Sequence, residues 1–459
     1  MNNLMAGFAR VNATPPLGIG IVGYFHKRLA EGVLDELEIN ALALAARDSK
    51  VVLISFDNCY VTNDVLTVYK EHISKVTGLP LDAIYIHATH THTGPMLKKP
   101  ETTGLNAMFA DQDGALEEQY GKMVCLKMAD AAQMALNDLK PAKMGWGVGQ
   151  APGVAFIRRY RMKDGSVRTN PGVNNPEILE PIGKTDERVH VLRFDREGAD
   201  TICYVNFANH PDCVGGNLIS GDWPNFVRST VEKTLDNTKC ILFNGAQGDI
   251  NHVKVFTKEG DMNGMFIDFD DVSRGYSHAQ YIGRVVTGGV LQAFDKVKYV
   301  DVDSIKCAMK VIRVPSNMPK PEEMEEARYI NEIHKAGRDA ELPYEGMMLT
   351  TMVADAARKV RLEHGPEFFE MELIAITVGD IAFVGIPGEP FGAIGMALKE
   401  TEGWEQVIPT CLTNGSNGYF PSADAYEQGG YESRSSNFGP LVAEIIVAEG
   451  RKMLEELKN

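Results

Sequence analysis

The chain has 459 residues, of which 44% are hydrophobic and 24% charged, as in an ordinary globular protein. Its formal net charge of −16 argues against a nucleic-acid-binding surface, because phosphate binding needs a clustered basic face. The sequence offers no apolar run long enough to span a bilayer, and its N-terminus lacks the basic and apolar regions of a secretory leader. Its 7 cysteines are scattered without a CxxC pair, which favours free thiols in a reducing compartment. We therefore predict a cytoplasmic protein; a homo-oligomer is left open.

The first part of the chain predicts a parallel βαβ unit. A strand is predicted at 51–56, a helix from Thr62 or Asn63 to about Val76, and a second strand at 84–88. Two strands separated by a helix at this spacing pair in parallel. Open α/β sheets place their sites just beyond the carboxyl ends of such strands.

The remaining predicted elements complete an α/β fold. Up to residue 300 they are a loop at 94–115, a helix at 116–139, a hairpin at 189–207, a helix from Pro224, a strand at 240–243 and a helix at 277–296. Beyond it they are a strand at 302–314, helices at 321–338 and 350–363, a hairpin at 371–386, a helix after Phe391, a loop at 414–440 and a helix at 441–456. The length of the last loop suggests function. We predict a mixed, largely parallel central sheet flanked by helices in 1–300, and a C-terminal α+β portion in 301–459 that completes one catalytic unit.

Potential metal ligands follow three predicted strands. His90 and His92 come after the strand at 84–88, and side chains two apart in an extended chain point to the same face. His210 and Glu389 each follow a hairpin. Two imidazoles and a carboxylate with an open position are the ligand set of a catalytic zinc. Each residue alone has a structural alternative, such as a loop histidine or a carboxylate at a helix N-terminus, and it is their shared position that favours a metal site.

These residues lie in motifs that resemble the neutral (non-lysosomal) ceramidases and their bacterial relatives, a family of zinc-dependent amidohydrolases. The similar segments are Thr89–Pro95 (THTHTGP), His210 with Ser220-Gly221-Asp222, Pro387-Gly388-Glu389, Tyr419 and Tyr431 ahead of Gly439-Pro440, and Thr14-Pro15-Pro16-Leu17-Gly18. The resemblance extends over nearly the whole chain, and the His-Thr-His motif is fairly specific.

The resemblance implies a site and an activity. Zinc would be bound by His90, His210, Glu389 and Tyr419, and an amide (N-acyl) bond of a small-molecule or lipid substrate would be cleaved by a metal-activated water. Because tyrosine is an uncommon zinc ligand, water in the fourth position with Tyr419 only nearby stays an alternative. The other residues with implied roles are His92 and Tyr431, which would hydrogen-bond the reacting amide or its oxyanion, and Arg158 or its neighbour Arg159, which would bind the substrate. His92 would also serve as general base or proton shuttle.

Three departures from the family pattern bear on the substrate. Asn251 stands where the family has an active-site serine, and neither the family's secretory leader nor its C-terminal immunoglobulin-like domain is found. A second hypothesis is therefore a zinc hydrolase of a soluble polar substrate, such as an acylated amino sugar. A third is a non-catalytic binding protein that keeps the metal scaffold. Asp222 and Asp249 are candidates for orienting the imidazoles, with His252 a weaker one.

Overall fold

A computed structural model describes residues 3–99 and 115–458. Its largest sheet has nine strands: β1 (Leu4–Asn12), β2 (Glu38–Ala46), β3 (Ser49–Phe56), β4 (Ile84–Ala88), β5 (Lys140–Gln150), β6 (Arg188–Arg196), β7 (Thr201–Phe207), β8 (Thr238–Asn244) and β9 (Lys298–Val300). In space they follow the order β8-β7-β6-β5-β1-β2-β3-β4, and β9 pairs with β5. The predicted loop at 94–115 falls mostly outside the described residues.

Parallel pairing in this sheet is confined to β3 with β4 and β7 with β8. Each of these pairs is joined through a crossover helix, α1 (Asn63–Thr77) or α3 (Asp222–Thr234). The other neighbouring strands described here pair antiparallel. For β2 with β3 and β6 with β7 the reason is the short turn between them, which allows only that direction. The predicted α/β class and the first βαβ unit are confirmed. The prediction of a largely parallel sheet is corrected to a mixed sheet.

A second sheet is formed by β10 (Ile305–Pro315), β11 (Phe368–Val378), β12 (Ile381–Gly385) and β13 (Gln406–Thr410), in that spatial order. The other helices are α2 (Ala115–Asn137), α4 (Tyr276–Phe294), α5 (Met324–Lys335), α6 (Gly346–Leu362), α7 (Gly392–Lys399), α8 (Ala423–Gln428), α9 (Tyr431–Ser435) and α10 (Val442–Lys458). The predicted loop at 414–440 contains α8, α9 and a short strand. None of the described helices is both long and apolar enough to cross a membrane.

Alternate side chains of the large sheet face two different hydrophobic cores. On β7 and β8, Tyr204 and Phe243 face the second sheet, where the ring of Phe383 lies 5.4 Å from that of Tyr204. Val205 and Leu242 point the other way, into a core shared with α3 and α4. The second sheet thus covers one face of the first, which brings Glu389, just beyond β12, to the same edge as the residues that follow β4 and β7.

Shorter paired segments lie around that edge. They are Gly20–Ile21, Arg28–Leu29, Gly32–Val33, Phe156–Ile157, Arg159–Met162, Val167–Thr169, Ile178–Pro181, Leu218–Ile219, Ile250–Asn251, Phe266–Ile267, Ser273–Arg274, Glu389–Pro390 and Tyr419–Phe420. The pairing of Glu389–Pro390 with Tyr419–Phe420 is parallel and places Glu389 opposite Tyr419.

Candidate metal centre

Three buried side chains from separate parts of the fold converge at one point. The Nε2 atoms of His90 and His210 are 3.0 Å apart, and Glu389 Oε2 lies 3.1 Å from the first and 3.5 Å from the second. All three side chains are nearly inaccessible to solvent. These residues could hold a metal ion between them.

The hydrogen bonds of the two rings show which of their nitrogens carries the proton. His90 Nδ1 lies 2.8 Å from the carbonyl oxygen of Cys59, and His210 Nδ1 lies 3.2 Å from that of Gln247. A carbonyl only accepts, so each ring donates from Nδ1, and when the ring is neutral its Nε2 carries a lone pair. Against the effect of burial, the Glu389 carboxylate raises the pKa of His90 well above its usual value, so without a metal this ring attracts a proton. Glu389 Oε2 is itself buried without a hydrogen-bond partner among the described residues. Atoms this close need a proton or a metal ion between them, and this ligand set of two imidazoles and a carboxylate suits zinc.

The His-Thr-His segment reaches the site by a turn rather than by strand alternation. β4 ends at Ala88, and His90 has a left-handed backbone with φ of 77°. The predicted reason for the closeness of His90 and His92 is therefore wrong, although their ring centroids do lie 4.8 Å apart. The backbone N–H of His90 donates to Asn58 O and that of His92 to Pro211 O, which fixes the turn against two neighbouring segments.

His92 stands beside an acidic side chain that the sequence motifs did not indicate. Its Nε2 is 3.3 Å from that of His90, and its Nδ1 is 3.4 Å from Asp212 Oδ1. Burial lowers the pKa of His92 to about 3 against the attraction of Asp212, so the ring is neutral near pH 7. Burial would raise the pKa of Asp212, but the Arg274 guanidinium holds it well below its usual range. Arg274 reaches both oxygens of Asp212, at 3.1 and 2.7 Å, and Tyr24 donates to Oδ1 at 2.6 Å.

Two tyrosines and an arginine complete the wall next to Glu389. The rings of Tyr419 and Tyr431 are 5.4 Å apart, and the Arg158 guanidinium lies 5.3 Å from the first and 5.9 Å from the second. Arg158 is fixed because its Nε donates to Glu432 and its Nη2 to Gly248 O, each at 2.7 Å. Of the two candidate arginines it is therefore Arg158 that faces the site. Arg159 donates instead to the carbonyl of Gly429.

A cavity of about 240 Å³ opens beside the converging ligands. Six of the eight predicted site residues line it: His90, His92, Arg158, Glu389, Tyr419 and Tyr431. His210 lies behind them against His90, and Asn251 is buried away from the cavity. Lining residues absent from the sequence prediction include Tyr24, Cys59, Asn170, Asp212 and Met347. The sequence contained a signal for two of these residues, because Cys59 follows the strand β3 and Asp212 comes two positions after His210.

The residues considered for orienting the imidazoles bind elsewhere. Asp222 accepts the backbone N–H groups of Val214 and Trp223, and Asp249 accepts that of Gly392. His252 Nε2 lies 2.6 Å from the carbonyl of Ser273. The imidazoles of His90 and His210 are oriented by backbone carbonyls instead, and sequence composition gives no signal for such partners.

Comparison with known proteins gives a fold relationship. No protein-family model matches the chain, and no curated protein matches it in sequence. Neutral ceramidase from Pseudomonas aeruginosa is similar in structure with a TM-score of 0.71 and 14% identity, over 100% of this chain and 75% of that one. A ceramidase complexed with C2 gives a TM-score of 0.69 and 14% identity, over 99% and 76% of the two chains. The chain has the fold of neutral ceramidase, as its motifs predicted.

Proposed function

We propose that the chain is a zinc-dependent hydrolase of ceramidase-like type that cleaves an amide (N-acyl) bond. The observation that carries the proposal is the convergence of His90, His210 and Glu389, whose Nε2 and Oε2 atoms meet within 3.5 Å of one another in a buried site. Tyr419 lies next to Glu389 and would be a fourth ligand or a neighbour of a bound water. The fold shared with neutral ceramidase supports the same assignment.

The surrounding residues suit the chemistry that such a site supports. Bound zinc would polarise the scissile carbonyl and lower the pKa of water. His92 is neutral and directs Nε2 towards the ligand cluster, where it can take up the proton of the attacking water and return it to the leaving amine. Tyr431 and Arg158 stand on the Glu389 side and would donate hydrogen bonds to the developing oxyanion, with about 3–4 kcal/mol from one well-placed donor.

The binding-protein hypothesis accounts for fewer of these features. A metal scaffold without catalysis requires the three ligands but not His92 beside Asp212, nor Arg158 between two tyrosines. A soluble polar substrate also fits the cavity lining, which includes Asn170 and Thr350 as well as the apolar Phe25 and Phe269. We keep it as the second candidate.

The test is a substrate panel with the zinc-loaded protein. An N-acylsphingosine and an N-acetylhexosamine would be supplied at equal concentration, and the released amine measured. We expect His92→Gln to retain zinc and lose at least about 100-fold in kcat, since general acid–base catalysis contributes that much. A matched control is His72→Gln on α1. Unchanged turnover in His92→Gln, or turnover without zinc, would contradict the proposal.

Three further points concern the two portions of the chain, its location and its oligomeric state. We propose that 1–300 and 301–459 act as one catalytic unit, since both contribute ligands. The cytoplasmic location stays a prediction from the sequence, and a homo-oligomer stays open.

A further inference from the structure

Asn170 is a buried polar residue at the junction of two cavities. It lines the candidate active site and also a neighbouring cavity of about 350 Å³, and Met347 is shared in the same way. Only 6% of Asn170 is exposed. The second cavity is lined by donors and acceptors of both charges, among them Ser166, Arg168, Asp271, Gln428 and Arg434.

Hydrogen bonds fix the backbone of Asn170 beside Arg158 and Tyr431 in the cavity wall. Its N–H donates to Arg158 O at 2.8 Å, and its φ of 45° lies in the left-handed region that asparagine tolerates better than most residues. The preceding residue, Thr169, donates its hydroxyl to Glu432 at 2.8 Å and accepts the N–H of Tyr431 at 3.1 Å. These contacts fix the position of Asn170 relative to Arg158 and Tyr431, the two proposed oxyanion donors.

The orientation of the Asn170 amide follows from that of Asn251. Asn251 Oδ1 accepts the backbone N–H of Val253 at 3.1 Å, so its Nδ2 must face Asn170. Asn251 Nδ2 donates to Asn170 Oδ1 at 2.8 Å. This hydrogen bond uses only the Oδ1 atom of Asn170 and leaves its NH₂ group without a role. In the part of the chain that the structure describes it donates to no protein atom, and it is not sealed from solvent.

We infer that Asn170 is a substrate-binding residue, that its NH₂ group donates to an oxygen of a polar substrate portion extending towards the second cavity, and that Asn251 acts only by holding Asn170. The inference rests on the proposed function and names its substrate class as N-acylated polyhydroxy amines, such as acylated amino sugars. Hydroxyl groups both donate and accept, which matches a cavity lined by carboxylates, guanidinium groups and amides.

The first experiment measures binding without turnover. The zinc-loaded protein is titrated with N-acetylglucosamine by calorimetry at a temperature where hydrolysis is slow. We expect Asn170→Asp, which keeps the acceptor for Asn251 and removes the donor, to weaken binding about tenfold. The matched control is Asn174→Asp, since Asn174 also has a left-handed backbone (φ 55°) but lies exposed outside both cavities. Equal affinity of wild type and Asn170→Asp would overturn the inference.

The second experiment separates a positioning role of Asn251 from a direct one. Asn251→Asp should lower kcat/KM for the sugar amide, because the new carboxylate turns the Asn170 amide round. In an Asn170→Ala background the same substitution should have no further effect, since coupled residues are non-additive. An additive loss would overturn the positioning role.

The panel also distinguishes this inference from the proposed function. Hydrolysis of the N-acylsphingosine with no binding of the sugar amide would refute the polar substrate and leave the hydrolase standing. Binding of the sugar amide that depends on Asn170, with no hydrolysis of either substrate, would support the subsite and refute the hydrolase.

Discussion

Glu389 and Tyr419 lie opposite each other in a two-residue parallel pairing, so a carboxylate and a phenol from distant parts of the chain face the same cavity. The pairing links the end of β12 to the segment before α8. It places two residues of the C-terminal portion side by side at the candidate metal centre.

Removal of a ligand should remove the metal. His210→Ala deletes one of three converging acceptors, and we expect zinc content to fall from about one per chain to background, with loss of turnover. Elemental analysis of the purified protein measures this. Tyr419→Phe should keep the zinc but bind it about 10–100-fold more weakly, since a ligand's neighbours tune affinity on that scale. Full zinc content in His210→Ala would place the metal elsewhere.

Asp212 should act on kcat through His92. Asp212→Asn places an amide where two oxygens now face Arg274, so the neighbouring imidazole loses its charged partner. We expect kcat to fall about 10–100-fold with KM changed little. The control is Asp268→Asn, which removes another partner of Arg274 that does not touch His92. Equal losses in both variants would indicate a general effect on the Arg274 cluster.

The buried ion pair between Asp57 and Arg228, which lies on helix α3, should contribute more to the free energy of unfolding than an exposed ion pair does. Both side chains are almost completely buried, and Arg228 Nη1 donates to Asp57 Oδ1 at 3.0 Å. Arg228→Met leaves the buried Asp57 carboxylate without its charged partner, with only the backbone N–H of Glu38 donating to it among the described residues, and should cost about 3–5 kcal/mol in free energy of unfolding. Arg47→Met, at the exposed ion pair with Asp303, should change the free energy of unfolding far less, because solvent screens that pair. Denaturant unfolding compares the two.

Asp222 should make stability depend on pH. Burial raises its pKa to about 7, against the two backbone N–H groups that it accepts. An unfolded aspartate has a pKa of about 3.9, so the folded state holds the extra proton between these values. The stabilisation is complete below pH about 4 and is lost as the pH rises to about 7. Asp222→Asn retains the left-handed backbone (φ 55°) and removes the titration.

The measurement for Asp222 is denaturant unfolding of wild type and Asp222→Asn between pH 5 and 8. Wild type should lose stability relative to the variant up to pH about 7 and then level off. A constant difference across the range would contradict the raised pKa.

Sequence patterns predicted the helices and strands better than their pairing. The run at Ile84–Ala88 and the helix before it are local features, and both were found. Whether β1 pairs with β5 depends on contacts between residues far apart in the chain, for which composition carries no signal. The same difference between local features and long-range contacts holds for the residues of the site. The ligand-type residues were recognisable, and Asp212 lies two positions after one of them, whereas Asn170 is defined by its contact with Asn251, which only the fold brings near.

His90 has a left-handed backbone that another residue would adopt at lower cost, so the residue that favours stability here differs from the one that the proposed reaction requires. A non-glycine residue in this region costs about 1–3 kcal/mol. Asparagine adopts this backbone readily and would supply an NH₂ donor towards Glu389. His90→Asn should therefore melt at a higher temperature than the zinc-free wild type while losing all turnover. A selection for thermal stability alone would then remove a residue that the proposed reaction requires.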